Sequence, residues 1–247
     1  MMFTKRVALV TGAGRGIGAA TAVELARRGA FVLVNDLDEG AAEPTVLAIR
    51  AEGNAASAAV ADVTDAGAVA AMFGAAEEQH GGVDLLVNNA GIVSRGRLAD
   101  FPDEEWRRIV DVDLTGVYLV LKHFARLAAR EAAVRRAVVN VASMSYRGMT
   151  QQIAYVSAKG GVVSLTRGAA MELARDGIRV NCVAPGMVET DMATFAGDDL
   201  RERMIATIPL RRYGTPAEVA STIAFLLSDD SAYITGETVH VAGGARL

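Results

Sequence analysis

Tyr155 and Lys159 stand four residues apart at the end of the run VASMSYRGMTQQIAYVSAK, Val141–Lys159. A helical spacing of four puts both side chains on one face, a turn from each other. A free tyrosine titrates near ~10, and a fixed positive charge beside it favours the phenolate. The pair is therefore expected to make Tyr155 able to exchange a proton near about pH 7. Upstream, the apolar run Ala137–Val141 reads as a buried strand. That reading puts the Ser143 hydroxyl at the strand's C-terminal mouth, where open α/β sheets bind ligands. A neutral donor beside a proton-exchanging phenol suits a carbonyl or alcohol oxygen. Ser145 competes for that place, and Ser143 is preferred because it lies closer to the strand end. A tyrosine and a lysine at this spacing are also common as an exposed surface pair, so the assignment depends on the elements around them.

Those elements follow a regular alternation. Arg6–Val10 is a short apolar run, followed by TGAGRGIG at Thr11–Gly18 and a helical pattern through Arg28 closed by Gly29. Phe31–Val34 forms the next strand and ends at Asn35 and Asp36. Strand, crossover helix and strand make one right-handed unit of a parallel sheet. Gly12 permits the tight turn, Gly16 lets backbone approach a pyrophosphate, and Gly18 lets the helix pack close while the N–H groups around Ile17 face the phosphates. Asp36 falls about twenty residues after the turn, where an acid can accept from both adenosine ribose hydroxyls. Its charge would repel a 2′-phosphate, which favours NAD(H), whereas Arg15 in the turn could pair with that phosphate and keeps NADP(H) possible.

The rhythm continues with a helix from about Glu39 to Glu52, an alanine-rich strand to Ala61, and Asp62-Val63 at its mouth. A helix from about Asp65 to Gln79 and a strand Val83–Val87 follow, with NNAG turning out at Asn88–Gly91. Asparagines are turn formers, but at this sheet edge contact with a dinucleotide is equally expected. A single helical pattern with Gly116 inside it spans Pro102 to about Glu131. The helix carrying Lys159 continues to Arg175, and strands at Arg179–Val183 and Thr238–Val241 complete a count of seven. Between them, 187–213 shows no sheet period and no long helix, and reads as a mobile lid over the substrate. Thr215-Pro-Ala-Glu218 is a capping box opening a helix to about Leu227.

At 247 residues, 51% of them hydrophobic, the chain fits one large α/β domain spanning 1–247. The net charge of −4, with both signs interspersed, gives no footprint for nucleic acid or an anionic membrane surface. Small molecules and other protein chains are the expected partners. No apolar run approaches the ~20 residues of a membrane span, and the start of the chain leaves no room for a signal peptide. A cytoplasmic protein is expected. Cys182, the only cysteine, reads as a buried small hydrophobe. His80, His123 and His240 share no ligand spacing, and no metal site is expected. Met144, Met149, Met187, Met192 and Met204 read first as core filler near the site. Arg95, Arg97, Arg147 and Gln151 lie where side chains could reach a substrate.

Taken together, TGAGRGIG, NNAG, Ser143, YVSAK at Tyr155–Lys159, Pro185-Gly186 and the ending ITGETVHVAGG resemble the short-chain dehydrogenase/reductase family over essentially the whole chain. The resemblance implies a Rossmann-type doubly wound sheet of seven mostly parallel strands with helices on both faces, assembled as a homotetramer. It implies Tyr155 as general acid/base, Ser143 as hydrogen-bond partner of the substrate oxygen, and Lys159 as the group that binds the nicotinamide ribose and lowers the tyrosine pKa. Hydride would pass between the nicotinamide and the carbon of a secondary alcohol or ketone. Asp62 and Val63 are implied to contact adenine, and Asn89, Ala90 and Gly91 the adenosine ribose side. Pro185, Gly186, Val188 and Thr190 resemble the loop holding the carboxamide and phosphates. The chain departs at Asp113, in VDVDLTG, where such families carry an asparagine that holds a relay water. Aspartate can accept from that water or from Lys159 but cannot donate, so a working relay with an altered pH profile is expected. Reduction of 3-oxoacyl thioesters is the alternative activity, and a cofactor-binding regulator without chemistry is the alternative class.

Overall fold

The computed structural model describes residues 2–128, 136–190 and 198–245. Seven strands form one sheet: β1 Val7–Val10, β2 Phe31–Val34, β3 Ala56–Ala58, β4 Leu85–Asn88, β5 Arg136–Val141, β6 Ile178–Pro185 and β7 Thr238–Val241. Their order is β3-β2-β1-β4-β5-β6-β7, and every neighbouring pair is parallel. The strands run outward in both directions from the β1–β4 boundary, so the connection reverses there and opens a crevice at the C-terminal edge.

Alternation along the strands fills two cores. Ala8 and Val10 of β1 face a cluster with Leu25 of helix α1 (Gly16–Arg27), Ile49 of α2 (Glu39–Ala51) and Ile223 of α8 (Pro216–Leu227). Val7 and Leu9 face the opposite cluster, with Phe73 of α3 (Ala66–His80), Phe124 of α5 (Gly116–Ala128) and Leu173 of α6 (Ile153–Leu173). Burial on both faces explains strands that read as continuous apolar runs. The capping box on α8 forms, with Thr215 and Glu218 each accepting from the other's backbone N–H.

Three elements differ from the sequence reading. The alanine-rich strand stops at Ala58 instead of Ala61, because the Asn35 amide takes the carbonyls of Ala59 (2.8 Å) and Ala61 (3.1 Å). The single helix expected from Pro102 is α4 (Asp103–Val110), a π-helical turn (Asp111–Thr115) and α5, and its expected end at 129–131 lies outside the described residues. The Gly116 N–H reaches back five residues to the Asp111 carbonyl, the one-residue surplus that marks such a turn. Within 187–213, expected to hold no long helix, the ten-residue α7 spans Asp198–Thr207, while 191–197, with Met192, lies outside the described residues. The base of this segment is zipped: Glu189 N donates to Gly214 O (2.9 Å) and Gly214 N to Met187 O (3.0 Å).

Candidate active site

The crevice begins at the glycine turn. Gly12 adopts φ +58°, and a Cβ there would stand 2.7 Å from the Ala90 Cα. At Gly18 a Cβ would stand 2.2 Å from the Gly12 carbonyl oxygen, so α1 lies directly against the turn. Thr11 and Asn89 hold this arrangement: Asn89 N and Ala90 N donate to Thr11 Oγ1 (3.0 and 3.1 Å), and Asn89 Nδ2 donates to Thr11 O (3.0 Å) and Gly12 O (2.9 Å). The Asn89 amide nitrogen is thus engaged with the turn. Thr11 was not singled out from sequence, although a hydroxyl at the end of β1 beside a glycine turn was the available signal.

Asp36 closes the other side. One carboxylate oxygen accepts from Gly14 N and the other from Leu37 N, each at 2.9 Å. Arg15, at the N-cap of α1, is exposed, and no side chain caps that helix. A Cβ on Gly16 would stand 3.5 Å from Thr190 Cγ2, so the loop after β6 comes up against the turn. Gly186 belongs to that loop and donates to Val241 O (2.9 Å), while Val188 is buried and bridges to Gly214. A helix N-terminus without an acidic first turn, walled by glycines, suits an anionic pyrophosphate. The residues present therefore fit a dinucleotide.

Two adenine-side expectations separate. Asp62 is exposed and accepts from Thr64 N (2.8 Å) and Thr64 Oγ1 (2.7 Å). The Val63 side chain is buried against Gly116. Asn88 is corrected: its side chain is buried, donating to Asn140 Oδ1 (2.8 Å), and Asn140 donates to Thr166 Oγ1 (2.9 Å). This ladder runs beneath the sheet edge and offers no contact to a dinucleotide.

The chemical cluster lies at the mouths of β4 and β5. Lys159 and Tyr155 share a face of α6, the Lys159 ammonium standing 5.6 Å from the Tyr155 ring centroid. Ser143 caps a 3₁₀ turn after β5, accepts from Ser145 N (3.2 Å), and its hydroxyl lies near enough to favour the ionised phenol. Lys159 is buried, donates to Val141 O (3.2 Å), and stands 3.1 Å from the Asp113 carboxylate. The π turn delivers Asp113 there, and its second oxygen accepts from Ile92 N (2.8 Å).

Electrostatics correct one expectation. The Tyr155 phenol is held above its ordinary range. Burial is the main cause, and the Asp113 carboxylate opposes the lowering by Lys159 and Ser143. Burial alone would lower the Lys159 pKa, but Asp113 and then Tyr155 outweigh it and leave it raised. Burial pushes Asp113 up against the pull of Lys159 and Ile92 N–H, and Cys182, buried behind Lys159, is pushed up to about 11.

The remaining candidates are peripheral. His80 packs tilted against Phe31, His123 stacks on Phe73, and His240 stacks on Tyr146, whose hydroxyl lies 3.0 Å from the His240 ring nitrogen. Arg95, Arg97, Arg147 and Gln151 are exposed, with Gln151 contributing its carbonyl to Gly96 N (2.9 Å). Met144 is buried in the core. Among the described residues no cluster of three or more His, Cys, Asp or Glu could hold a metal.

A doubly wound parallel sheet with a glycine turn at its reversal point defines the dinucleotide-binding α/β class. The family model described as Enoyl-(Acyl carrier protein) reductase matches residues 12–246. A Staphylococcus aureus 3-oxoacyl-(acyl-carrier-protein) reductase is 42% identical over all of both chains. The cis-4-hydroxycyclohexanecarboxylate dehydrogenase of Sinomonas cyclohexanicum is 44% identical over 98% of this chain and 97% of its own. The crystal structure of levodione reductase superimposes with a TM-score of 0.93 at 37% identity, over 98% of each chain. The chain belongs to the short-chain dehydrogenase/reductase family, whose members are oxidoreductases of CH–OH and carbonyl groups with a nicotinamide cofactor.

Proposed function

We propose that the chain interconverts a secondary alcohol and a ketone with Tyr155 as general acid/base. The observation that carries this reading is the phenol of Tyr155 beside Ser143 and above Lys159, at the same sheet edge as the glycine turn. Ser143 orients the reacting oxygen, Tyr155 gives or takes its proton, and Lys159 holds the nicotinamide ribose. Gly12, Gly16, Ile17 and Gly18 bind the pyrophosphate. Asp36 takes the adenosine ribose, with Asp62 and the Val63 backbone toward adenine and Ala90 and Gly91 lining the ribose. Pro185, Gly186, Val188 and Thr190 close over the nicotinamide side, and 187–213 covers the substrate. When bound, the dinucleotide supplies or accepts the hydride. The cytoplasm is the proposed location, and among the described residues no helix is long and apolar enough to cross a membrane. A homotetramer is the proposed assembly, with exposed Trp106 and Tyr118 on α4 and α5 and exposed Phe225 and Tyr233 near the C-terminus as its apolar contacts.

Asp36 carries the cofactor preference. Its carboxylate is held by Gly14 and Leu37 N–H, and a negative charge at the expected adenosine ribose would repel a 2′-phosphate. NAD(H) is the proposed cofactor. Asp36→Asn keeps the shape and drops the charge. The ratio of NADP(H) to NAD(H) affinity, read by fluorescence titration, is expected to rise about tenfold or more, the equivalent of one charged hydrogen bond. An unchanged ratio would remove Asp36 as the discriminator.

Turnover tests the activity. Purified chain with NADH or NADPH is offered cyclic ketones, sugars, polyol-derived ketones, steroids and a 3-oxoacyl thioester, and nicotinamide absorbance is followed. Turnover of simple ketones supports the main reading. Turnover of the thioester alone supports the second, which the full-length match to the Staphylococcus aureus reductase favours. Binding without turnover of any would support a regulator.

A further inference from the structure

The Asp113–Lys159 pair is more than a substitute for an amide. Both side chains are almost wholly buried, at 0% and 4% exposure. Asp113 is fixed by Ile92 N–H, and Lys159 by the Val141 carbonyl. Gly91 packs on the contact so closely that a Cβ would stand 2.9 Å from the Asp113 oxygen and 3.1 Å from Lys159 Nζ. No flexible side chain can move into that space to separate the charges. An ammonium favours a neighbouring phenolate only with its uncompensated charge, and a carboxylate 3.1 Å from it returns the opposite sign to the same region.

We propose that Asp113 is a positioning residue acting through Lys159. Its carboxylate offsets the ammonium charge and so leaves burial of the phenol unopposed, with Tyr155 protonated in the resting chain; the site then donates a proton to a carbonyl oxygen near neutral pH and accepts one from an alcohol only in alkaline solution. This rests on the ketone–alcohol reading above. In reduction the carbonyl carbon gains the hydride, its π pair goes to oxygen, and the oxygen takes the Tyr155 proton. The phenolate left behind recovers a proton from solvent, and oxidation runs each transfer backwards with the phenolate as base. The groups facing Tyr155 are Lys159 on α6, Asp113 on the π turn and Ser143 after β5. Cys182 on β6 faces Lys159 as a neutral thiol. His240 on β7 faces Tyr146 and Arg147 instead. Among the described residues Asp113 is therefore the carboxylate facing this group.

The test is a spectroscopic titration of tyrosinate in the protein without cofactor, with Tyr155→Phe subtracted to isolate one of the five tyrosines. In the native chain Tyr155 is expected to ionise above the ordinary tyrosine value of ~10. In Asp113→Asn, which keeps an acceptor for Ile92 N–H, it is expected to ionise at least about one pH unit lower, the size of one opposed charge removed at close range. The rising alkaline limb of alcohol oxidation should move down by the same amount. Ionisation of native Tyr155 below the ordinary value overturns the proposal without any change at Asp113. So does an unchanged titration in a folded Asp113→Asn chain. Absence of turnover on every substrate would instead strike the ketone–alcohol reading, since the titration needs no substrate.

Discussion

Tyr155→Phe should leave dinucleotide affinity and melting temperature close to native and lower turnover by about 10²- to 10⁴-fold, the usual worth of one positioned acid–base group. The expectation follows from what the hydroxyl touches. The ring packs against Ile109, Ala154 and Ala158, contacts that phenylalanine keeps. Only the oxygen beside Ser143 is lost. Steady-state rates in both directions, paired with a thermal-shift titration of NADH, check this. Turnover within a few-fold of native would mean that protons reach the substrate by another route, and the assignment of Tyr155 would fall.

Lys159→Met should cost about 3–5 kcal/mol of stability, because it leaves the Asp113 carboxylate buried without its counter-charge. The loss has a pH signature. With the ammonium gone, burial acts on Asp113 against only the Ile92 N–H, so its folded pKa rises further above the unfolded value. Such a group contributes stability below the unfolded carboxylate value and loses it as pH rises through the folded one. The variant should therefore be relatively most stable in acid and weaken toward neutrality. The double variant Asp113→Asn/Lys159→Met should recover most of the loss and show little of this dependence. Denaturant melts of both variants across pH separate the outcomes, and equal stability of single and double variants would contradict a charged native pair.

Strands buried on both faces announce themselves as apolar runs, and the glycine turn, Asp36 and the Tyr155–Lys159 spacing need only short-range geometry. The π turn was illegible because one surplus residue barely disturbs the apolar rhythm from Pro102 onward. Yet that residue is what brings Asp113 to Lys159. Helix α7 is short, and its sequence, DDLRERMIAT, shows no apolar stripe that would mark it. Its downstream flank is instead anchored by the buried side chains of Ile208 and Tyr213. Asn88 misled because NNAG reads as a turn, whereas its partner Asn140 is far along the chain. The effect of Asp113 on the phenol was half visible: its charge was legible, but its burial was not.

The zipped neck at Met187–Glu189 and Gly214 has an evolutionary corollary. Chain inserted between two such anchored points is a cassette, whose length adds only slowly to the entropy of closure and whose composition leaves the sheet untouched. On the proposed reading of 187–213 as the substrate cover, grafting the corresponding stretch from a relative with another preference would be expected to retune which ketone is accepted while the proton and hydride machinery carries over intact. Diversity of substrates within one scaffold then needs no new fold, only a different insert on the same clasp.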